Sequence, residues 1–323
     1  MIKTTVIIFV IFLLAFIGFV VYDLVNSKRR KEVYRVKSTA TAYLLLLPAV
    51  ALAFLFILLP ILYSLGYAFT DYYLLKPNSI HFIFLDNFKE LFEEISEKGM
   101  LYNAIKNTAT FVIGVVPIQI LLALLLALFV NRPGIGSKIF KVCFFAPVVI
   151  SLSITAFLWE QILAGGEGGL LNAMLGVFGI PPHDWLRDPK TAMPCIIALS
   201  AWQGCGYQML IFLSGLSNIR KDLYEASSLD GANWWHKFWL VTWPGLRSTF
   251  VYILITVFIG ACRILTQPML MTGYMSHTVT LSYYMYNSGY AERLVGESSA
   301  VALLMTIFIG GITLIQRRVF REK

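Results

Sequence analysis

The sequence predicts an all-α membrane protein in the form of a polytopic helical bundle. Hydrophobic residues make up 58% of the 323 residues and charged residues only 14%, whereas about a quarter of a soluble domain is charged. The excess apolar surface requires apolar surroundings, which a bilayer provides. The apolar residues also fall into seven long stretches, each approaching the roughly 20 residues that a helix needs to cross a membrane.

The seven predicted spans follow one another along the whole chain. They cover residues 6–22, 40–63, 108–130, 142–159, 191–216, 249–271 and 298–315. Pro48 and Pro60 are expected to kink the second span. The first stretch is too long for a signal peptide, and no A-x-A-like cleavage site follows it, which favours an uncleaved anchor. We therefore expect an anchor helix and a basic cytoplasmic linker in residues 1–37, and a transmembrane domain in residues 38–323.

The basic residues predict the orientation of the chain. The cluster at residues 28–31, Lys-Arg-Arg-Lys, directly follows the first span, and such clusters stay on the cytoplasmic side. The amino terminus then lies outside. Alternation of the seven spans places the carboxyl terminus, with Arg317 and Arg318, in the cytoplasm, together with a long loop at residues 217–247.

The residues that would carry metal or nucleotide chemistry are scattered. The chain has four cysteines inside apolar stretches and four histidines far apart in sequence, which argues against a metal site. The segment 134–138, Gly-Ile-Gly-Ser-Lys, is glycine-rich but lacks the spacing of a phosphate-binding loop. The net charge is +8, but the charged residues border apolar runs and do not form a basic face. We therefore expect no nucleic-acid partner.

One outer loop has the pattern of an amphipathic helix. Acidic residues and a lysine alternate there with apolar residues at helical spacing. The apolar residues are Leu85, Phe88, Leu91, Phe92 and Ile95. Such a helix either packs against the spans or offers a contact surface to an external partner.

The long inner loop, residues 217–247, predicts a short helix–turn–helix. Asp222 and Glu225 have the spacing of a capping box at a helix start. Gly231 is suited to the left-handed backbone that closes a helix. Asn233 is a cap for a second helix, and Pro244 marks the end of that helix or the start of the next span.

This loop resembles the EAA motif of binding-protein-dependent ABC importer permeases. The motif runs E-A-A, three residues, G, nine residues, I-x-L-P. Its positions here are Glu225, Ala226, Ser227, Gly231, Val241, Trp243 and Pro244. Serine replaces the second alanine, valine the isoleucine and tryptophan the leucine. The resemblance implies that this loop, including Asp230, docks into an ATPase subunit.

The resemblance extends over roughly residues 43–317 and is closest to the sugar-permease branch. Segments 44–48, 85–88, 103–107, 169–172, 185–189 and 271–273 carry it. It implies a six-span type I ABC importer permease core plus one extra N-terminal transmembrane helix. It also implies a second, homologous permease subunit in a heterodimer, two ATPase subunits that bind the ATP and Mg, and an extracytoplasmic solute-binding protein. The chain itself would bind no cofactor, and it would lie in a bacterial cytoplasmic membrane, in contact with lipid.

In this family the solute path involves the helices before and after the EAA loop. Polar residues in spans usually face a cavity or another helix, and those placed on this path are Ser151, Ser200, Gln203, Gly204, Tyr207, Arg263 and Gln267. Interhelical packing is the alternative for each of them. The aromatic rings of Tyr207 and Trp202 are suited to stacking on a sugar.

Several functions stay open beside the import of a sugar or oligosaccharide. Arg263 is suited to a phosphate or carboxylate, which keeps glycerol phosphate and acidic sugars open as solutes. A secondary transporter would hold coupling carboxylates and both repeats in one chain, and the predicted spans contain almost no acids. A membrane enzyme would need clustered Asp, His or Cys, and the sequence shows none.

Overall fold

The computed structural model describes residues 2–29, 36–131, 134–166 and 168–320. Its α-helices are α1 (Ile2–Arg29), α2 (Val36–Ala53), α3 (Leu59–Tyr67), α4 (Asp86–Ser96), α5 (Met100–Val130), α6 (Ile135–Val149), α7 (Leu152–Ile162), α8 (Leu170–Gly176), α9 (Ala192–Ser217), α10 (Lys221–Leu229), α11 (Trp234–Lys237), α12 (Trp243–Cys262), α13 (Thr266–Met271), α14 (Leu281–Tyr286) and α15 (Val295–Val319). Three π-helical turns, Phe54–Leu58, Phe238–Thr242 and Asn287–Ala291, continue α2, α11 and α14. These ranges contain isolated β-bridges but no strand, and the all-α class is confirmed.

Among the described residues, five helical segments are long and apolar enough to cross a membrane: Thr41–Tyr67, Met100–Val130, Ala192–Ser217, Trp234–Met271 and Val295–Val319. Each covers one of the predicted spans, apart from the first residue of the spans predicted at 40–63 and 191–216. The helix around the sixth span begins fifteen residues before the predicted start, at Trp234 rather than residue 249. The second half of the inner loop and the span are therefore parts of one helical segment.

The predicted N-terminal anchor is a helix that packs on α2. Its apolar part, Ile8–Asp23, is shorter than the other candidate spans. Phe12 stacks on Phe54 with ring centroids 3.8 Å apart, and the Tyr43 hydroxyl donates a hydrogen bond to Asp23. Residues 30–35, which include most of the predicted basic linker, lie outside the described residues. The proposed boundary at residue 37 falls in the first turn of α2 and stays a prediction.

The fourth predicted span is not one straight helix. It is divided into α6 and α7, which meet at an angle of 96°. Pro147 lies in the last turn of α6, and Ile150 and Ser151 between the helices have extended backbones with ψ of 135° and 132°. A proline removes one helical hydrogen bond and crowds the preceding turn, which weakens the last turns of α6 where the helix ends. The break exposes backbone carbonyls that need other donors.

Two of the π-helical turns each end two residues before a proline. The turn Phe54–Leu58 precedes Pro60, and the turn Phe238–Thr242 precedes Pro244. In each, the N–H of the next residue bonds to the carbonyl five residues back. The wider turn makes room for the proline ring that would clash in an α-helix. The helix continues through both prolines, so Pro60 leaves its segment unbroken.

The hydrophobic core lies where α5, α9 and α12 pack together. Ile196, Phe212, Leu246 and Ile253 are completely buried there. A second apolar cluster joins α4 and the start of α5 to α14 and α15. In α4, Leu91 is buried and Phe88 and Ile95 pack beside it, so the packing interpretation of the amphipathic helix is confirmed for these residues.

Three buried asparagines connect loops to helices. The amide of Asn87 donates to the carbonyls of Ala68 and Thr70 at 2.9 Å. Asn107 donates to the carbonyls of Ser276 and Val279, also at 2.9 Å. The side-chain oxygen of Asn172 accepts from the indole N–H of Trp185, and its amide nitrogen donates to the carbonyls of Gly166 at 2.9 Å and His183 at 2.8 Å. Since buried carbonyls without donors are costly, these side chains fix the loops that surround the core.

A polar cavity and a projecting loop

A cavity of about 500 Å³ lies where α5, α9 and α12 face the break between α6 and α7. Its walls combine apolar side chains with amides, hydroxyls and one charged group. The polar side chains that line it are Gln119, Ser200, Gln203, Gln208, Thr256, Arg263, Thr266 and Gln267. Amide and hydroxyl groups both donate and accept hydrogen bonds, so the cavity suits a solute rich in hydroxyl groups.

The structure brings most of the predicted pathway residues to this cavity. Those that line it are Ser200, Gln203, Gly204, Arg263 and Gln267. The amide of Gln267 donates to the hydroxyl of Ser200 at 3.3 Å, which joins α13 to α9. Ser151 and Tyr207 do not line the cavity. Ser151 begins α7, and the Tyr207 side chain is exposed on the surface of α9.

Gln203 fills the break between α6 and α7. Its amide nitrogen lies 3.4 Å from the carbonyl oxygen of Pro147 and 3.3 Å from that of Ile150. The same nitrogen lies 3.3 Å from the hydroxyl of Thr155. These are the carbonyls that the broken helix leaves without an intrahelical donor. Gln203 therefore holds the break in place, and its N–H groups are engaged before any solute arrives.

Gly204 makes room for a glutamine from the neighbouring helix. A Cβ added at this position would lie 2.2 Å from Nε2 of Gln119. Gln119 is itself buried on α5 and lines the cavity. The glycine therefore allows α5 and α9 to approach closely, and the amide of Gln119 that packs against it faces the cavity.

Two further side chains of the cavity, Arg263 and Gln208, differ in whether a solute can reach their polar atoms. Arg263 follows α12, and its side chain is exposed. None of the ion pairs among the described residues includes this arginine. The side-chain oxygen of Gln208 is buried without a hydrogen-bond partner in the described part of the chain. Arg263 therefore offers a cationic donor to the cavity, whereas the Gln208 oxygen is shielded from it in this conformation.

The sequence interpretation missed Gln119, Gln208, Thr256 and Thr266. Each is a polar residue within a predicted span or its helix, so the rule that polar residues in spans face a cavity applies to them as well. The sequence does not reveal how α5 is rotated relative to α9. That rotation decides which polar residues of the two helices face the same cavity.

The loop at residues 217–247, named the coupling loop here, projects from the bundle. Its first helix, α10, contains no buried residue. Gly231 has φ of +75°, the left-handed conformation expected of it. The Asn233 side chain accepts a hydrogen bond from the backbone N–H of His236 at 3.0 Å, so this cap is confirmed. The predicted capping box is wrong, because α10 is preceded by Arg220, and Asp222 pairs with that arginine.

The second helix of the coupling loop is not a separate element. It consists of α11 and continues through the π-helical turn into α12. Trp243, which occupies the leucine position of the motif, packs against Phe250 with ring centroids 5.1 Å apart. Ser227, at the second alanine position, donates its hydroxyl to the carbonyl of Tyr224 at 2.9 Å. Both departures from the motif are thus accommodated within the chain.

Two side-chain hydrogen bonds join α10 to the helix that follows. The ammonium of Lys237 donates to the hydroxyl of Ser228 at 2.7 Å. The hydroxyls of Tyr224 and Thr242 lie 3.0 Å apart. Glu225, by contrast, is exposed, and it takes part in none of the ion pairs that the described residues form. Two hydrogen bonds therefore connect α10 to the following helix, while the Glu225 carboxylate is exposed and forms no ion pair among the described residues.

Comparison with known proteins places the chain among transport proteins. Residues 98–321 match the family described as the binding-protein-dependent transport system inner membrane component. The chain is 33% identical over 285 residues to YesP of Bacillus subtilis, a probable ABC transporter permease protein, and the match covers 86% of this chain and 90% of that protein. It is 30% identical over 280 residues to AraP of Bacillus subtilis, an arabinooligosaccharide permease, with 85% and 87% covered.

The chain is also similar to LacF, the lactose transport system permease of Rhizobium radiobacter. The two are 30% identical over 289 residues, and the match covers 87% of this chain and 94% of LacF. The fold also resembles the crystal structure of a bacterial ABC transporter involved in import of the acidic polysaccharide alginate. That similarity has a TM-score of 0.78 at 24% identity and covers 88% of this chain and 96% of the other. The chain is a multi-pass inner membrane protein and a transport component rather than an enzyme, and it belongs to the family of binding-protein-dependent ABC importer permeases.

Proposed function

We propose that this permease carries a sugar or oligosaccharide through the cavity between α5, α9 and α12. The observation that carries the proposal is the polar lining of that cavity, which consists of amides and hydroxyls apart from Arg263. Such groups exchange hydrogen bonds with sugar hydroxyls. The names of AraP and LacF, which refer to arabinooligosaccharides and lactose, support the same class of solute.

An acidic saccharide is the second candidate. Arg263 lies in the cavity without an ion-pair partner among the described residues, and a guanidinium binds a carboxylate through two parallel hydrogen bonds. The structural relative that takes part in alginate import is consistent with this candidate. An acidic small solute, such as glycerol phosphate, would use the same contact.

The coupling loop is the proposed docking element for an ATPase subunit. Its helix α10 is exposed along its length, and the Glu225 carboxylate forms no ion pair among the described residues. The partners proposed are a second, homologous permease, two ATPase subunits that bind ATP and Mg, and an external solute-binding protein. A related alginate transporter in complex with its periplasmic binding protein supports the last of these.

The proposed topology has an outer amino terminus and a cytoplasmic carboxyl terminus. It is supported by the basic residues at the coupling loop, Arg220, Lys221 and Lys237, and at the end of α15. These positions fall on one side of the membrane when the spans alternate, as the retention of basic loops in the cytoplasm requires.

The test is reconstitution of the chain with its partner permease, ATPases and binding protein in proteoliposomes. We expect ATP-dependent uptake of a neutral oligosaccharide or of its uronic-acid counterpart. The two solutes distinguish the first candidate from the second. Uptake that persists when the ATPase subunits are omitted would instead indicate a secondary transporter and contradict the proposal.

A further inference from the structure

Two carboxylates converge on one phenol where α4 meets α14 and α15. The hydroxyl of Tyr284 on α14 lies 2.6 Å from a carboxylate oxygen of Glu94 on α4. The same hydroxyl lies 2.7 Å from a carboxylate oxygen of Glu297 in the first turn of α15. Tyr284 is buried. This cluster lies away from the polar cavity, and the transport path described above does not use it.

The hydrogen bonds of the cluster cannot all form without an additional proton. A phenol has one hydrogen and can donate it to one acceptor. Burial, followed by the hydrogen bonds with Glu94 and Glu297, raises the pKa of Tyr284, so the phenol keeps that hydrogen. It donates to one carboxylate, and the second oxygen at 2.7 Å or less needs a hydrogen of its own. Only a protonated carboxyl supplies it.

The remaining contacts of the cluster leave the pair's charge uncompensated. The backbone N–H of Leu101, at the start of α5, donates to Glu94 at 3.1 Å. Ser288, after α14, donates to Glu297 at 3.0 Å. Neither glutamate takes part in the ion pairs of the described residues.

The other titratable groups that face the cluster are also acidic or neutral. They are Glu292 and Tyr274. The described residues contain no group of three metal-binding side chains here or elsewhere. Two ionised carboxylates on one phenol would therefore repel each other without a counter-charge.

We propose that Glu94 and Glu297 share one bound proton through Tyr284, and that this proton fastens α4 to α14 and α15. The proton belongs to the pair rather than to either glutamate. Because the contact requires the proton, it is complete at low pH and is lost as the pH rises far enough to remove it. The attachment of the outer amphipathic helix thus depends on pH.

The decisive variant is Glu94→Gln, which mimics a protonated Glu94. Its amide N–H donates to Tyr284, and its carbonyl accepts from Leu101. In the reconstituted complex at neutral pH, we expect the infrared band of a protonated carboxylic acid, shifted by deuteration, in the wild type. The band should vanish in Glu94→Gln and remain in Glu93→Gln, which changes an exposed carboxylate one residue away.

Hydrogen exchange of the α4 amides measures the attachment itself. After correction for the intrinsic exchange rate, we expect protection of α4 in the wild type to fall about tenfold as the pH rises, the effect of losing one hydrogen bond to a charged group. Protection should stay high in Glu94→Gln and low at all pH values in Tyr284→Phe. The absence of the infrared band in the wild type, or the same pH dependence in wild type and Glu94→Gln, would overturn the proposal.

Discussion

The hydroxyl of Tyr224 lies 3.0 Å from the hydroxyl of Thr242, although the two residues are 18 positions apart in sequence. Tyr224 belongs to the exposed helix of the coupling loop, and Thr242 is buried at the end of the π-helical turn before α12. The bond crosses the turn at Gly231. We therefore expect a displacement of α10 to be passed to α12, one of the helices that line the polar cavity.

Replacing Thr242 by valine tests this connection. Thr242→Val keeps the shape of the side chain and removes the hydroxyl, which contacts both the Tyr224 hydroxyl and the carbonyl of Lys237, each contact being worth about 1 kcal/mol as a neutral hydrogen bond. We expect transport per ATP hydrolysed to fall about fivefold while the ATPase subunits stay attached. Tyr252→Phe, at an exposed position of α12, is the control and should leave the ratio unchanged. An unaltered ratio in Thr242→Val would show that the bond does not transmit motion.

Removing the free carboxylate of the coupling loop should weaken ATPase attachment. We expect Glu225→Ala to lower both attachment and transport at least tenfold, because truncating one partner of a buried charge pair at an interface costs about 2 kcal/mol or more. Co-purification of the ATPase subunits measures attachment. Asp222→Asn is the matched control, since it alters only the pair with Arg220 in the same helix. Equal attachment for Glu225→Ala and the control would remove the docking claim.

The sequence predicted where the spans are but not how they are interrupted. Apolar length and the scarcity of charge suffice for the former, since the thickness of the bilayer fixes the length and its apolar interior disfavours charge. The break before Leu152 depends on Gln203, which satisfies carbonyls of a helix about 50 residues earlier in the chain. The motif segments gave no indication that Asn87, Asn107 and Asn172 hold loops in place. Such contacts connect residues distant in sequence, which local patterns do not report.

The close approach of α9 and α5 predicts a specific loss of stability. Gly204→Ala places a Cβ 2.2 Å from the Gln119 amide, and because the end of a flexible side chain can move aside, the cost is about 1 kcal/mol, the low end of the range for overpacking. The unfolding midpoint of the purified chain should fall. Adding Gln119→Ala should restore much of the loss. Gly310→Ala, where nothing lies within 4 Å of an added Cβ, should not lower the midpoint, and a similar drop there would refute the packing argument.

The arginine of the cavity should decide between neutral and acidic solutes. If the solute is acidic, Arg263→Gln removes hydrogen bonds to a carboxylate worth about 1.5–3 kcal/mol, or roughly a tenfold to hundredfold change in apparent affinity. Competition uptake with a neutral and an acidic oligosaccharide measures this change. Lys106→Gln, an exposed cation on α5, serves as control. If Arg263→Gln leaves the preference unaltered, the acidic candidate is excluded.

The most direct test of the coupling loop is its accessibility from the two sides of the membrane. Leu229 ends α10 and is 91% exposed, so Leu229→Cys in a background without the native cysteines provides a single reporter. We predict that a membrane-impermeant maleimide labels it only from the cytoplasmic side, and that bound ATPase subunits block the labelling. Labelling from outside in intact cells, or labelling unaffected by the ATPase subunits, would contradict the account.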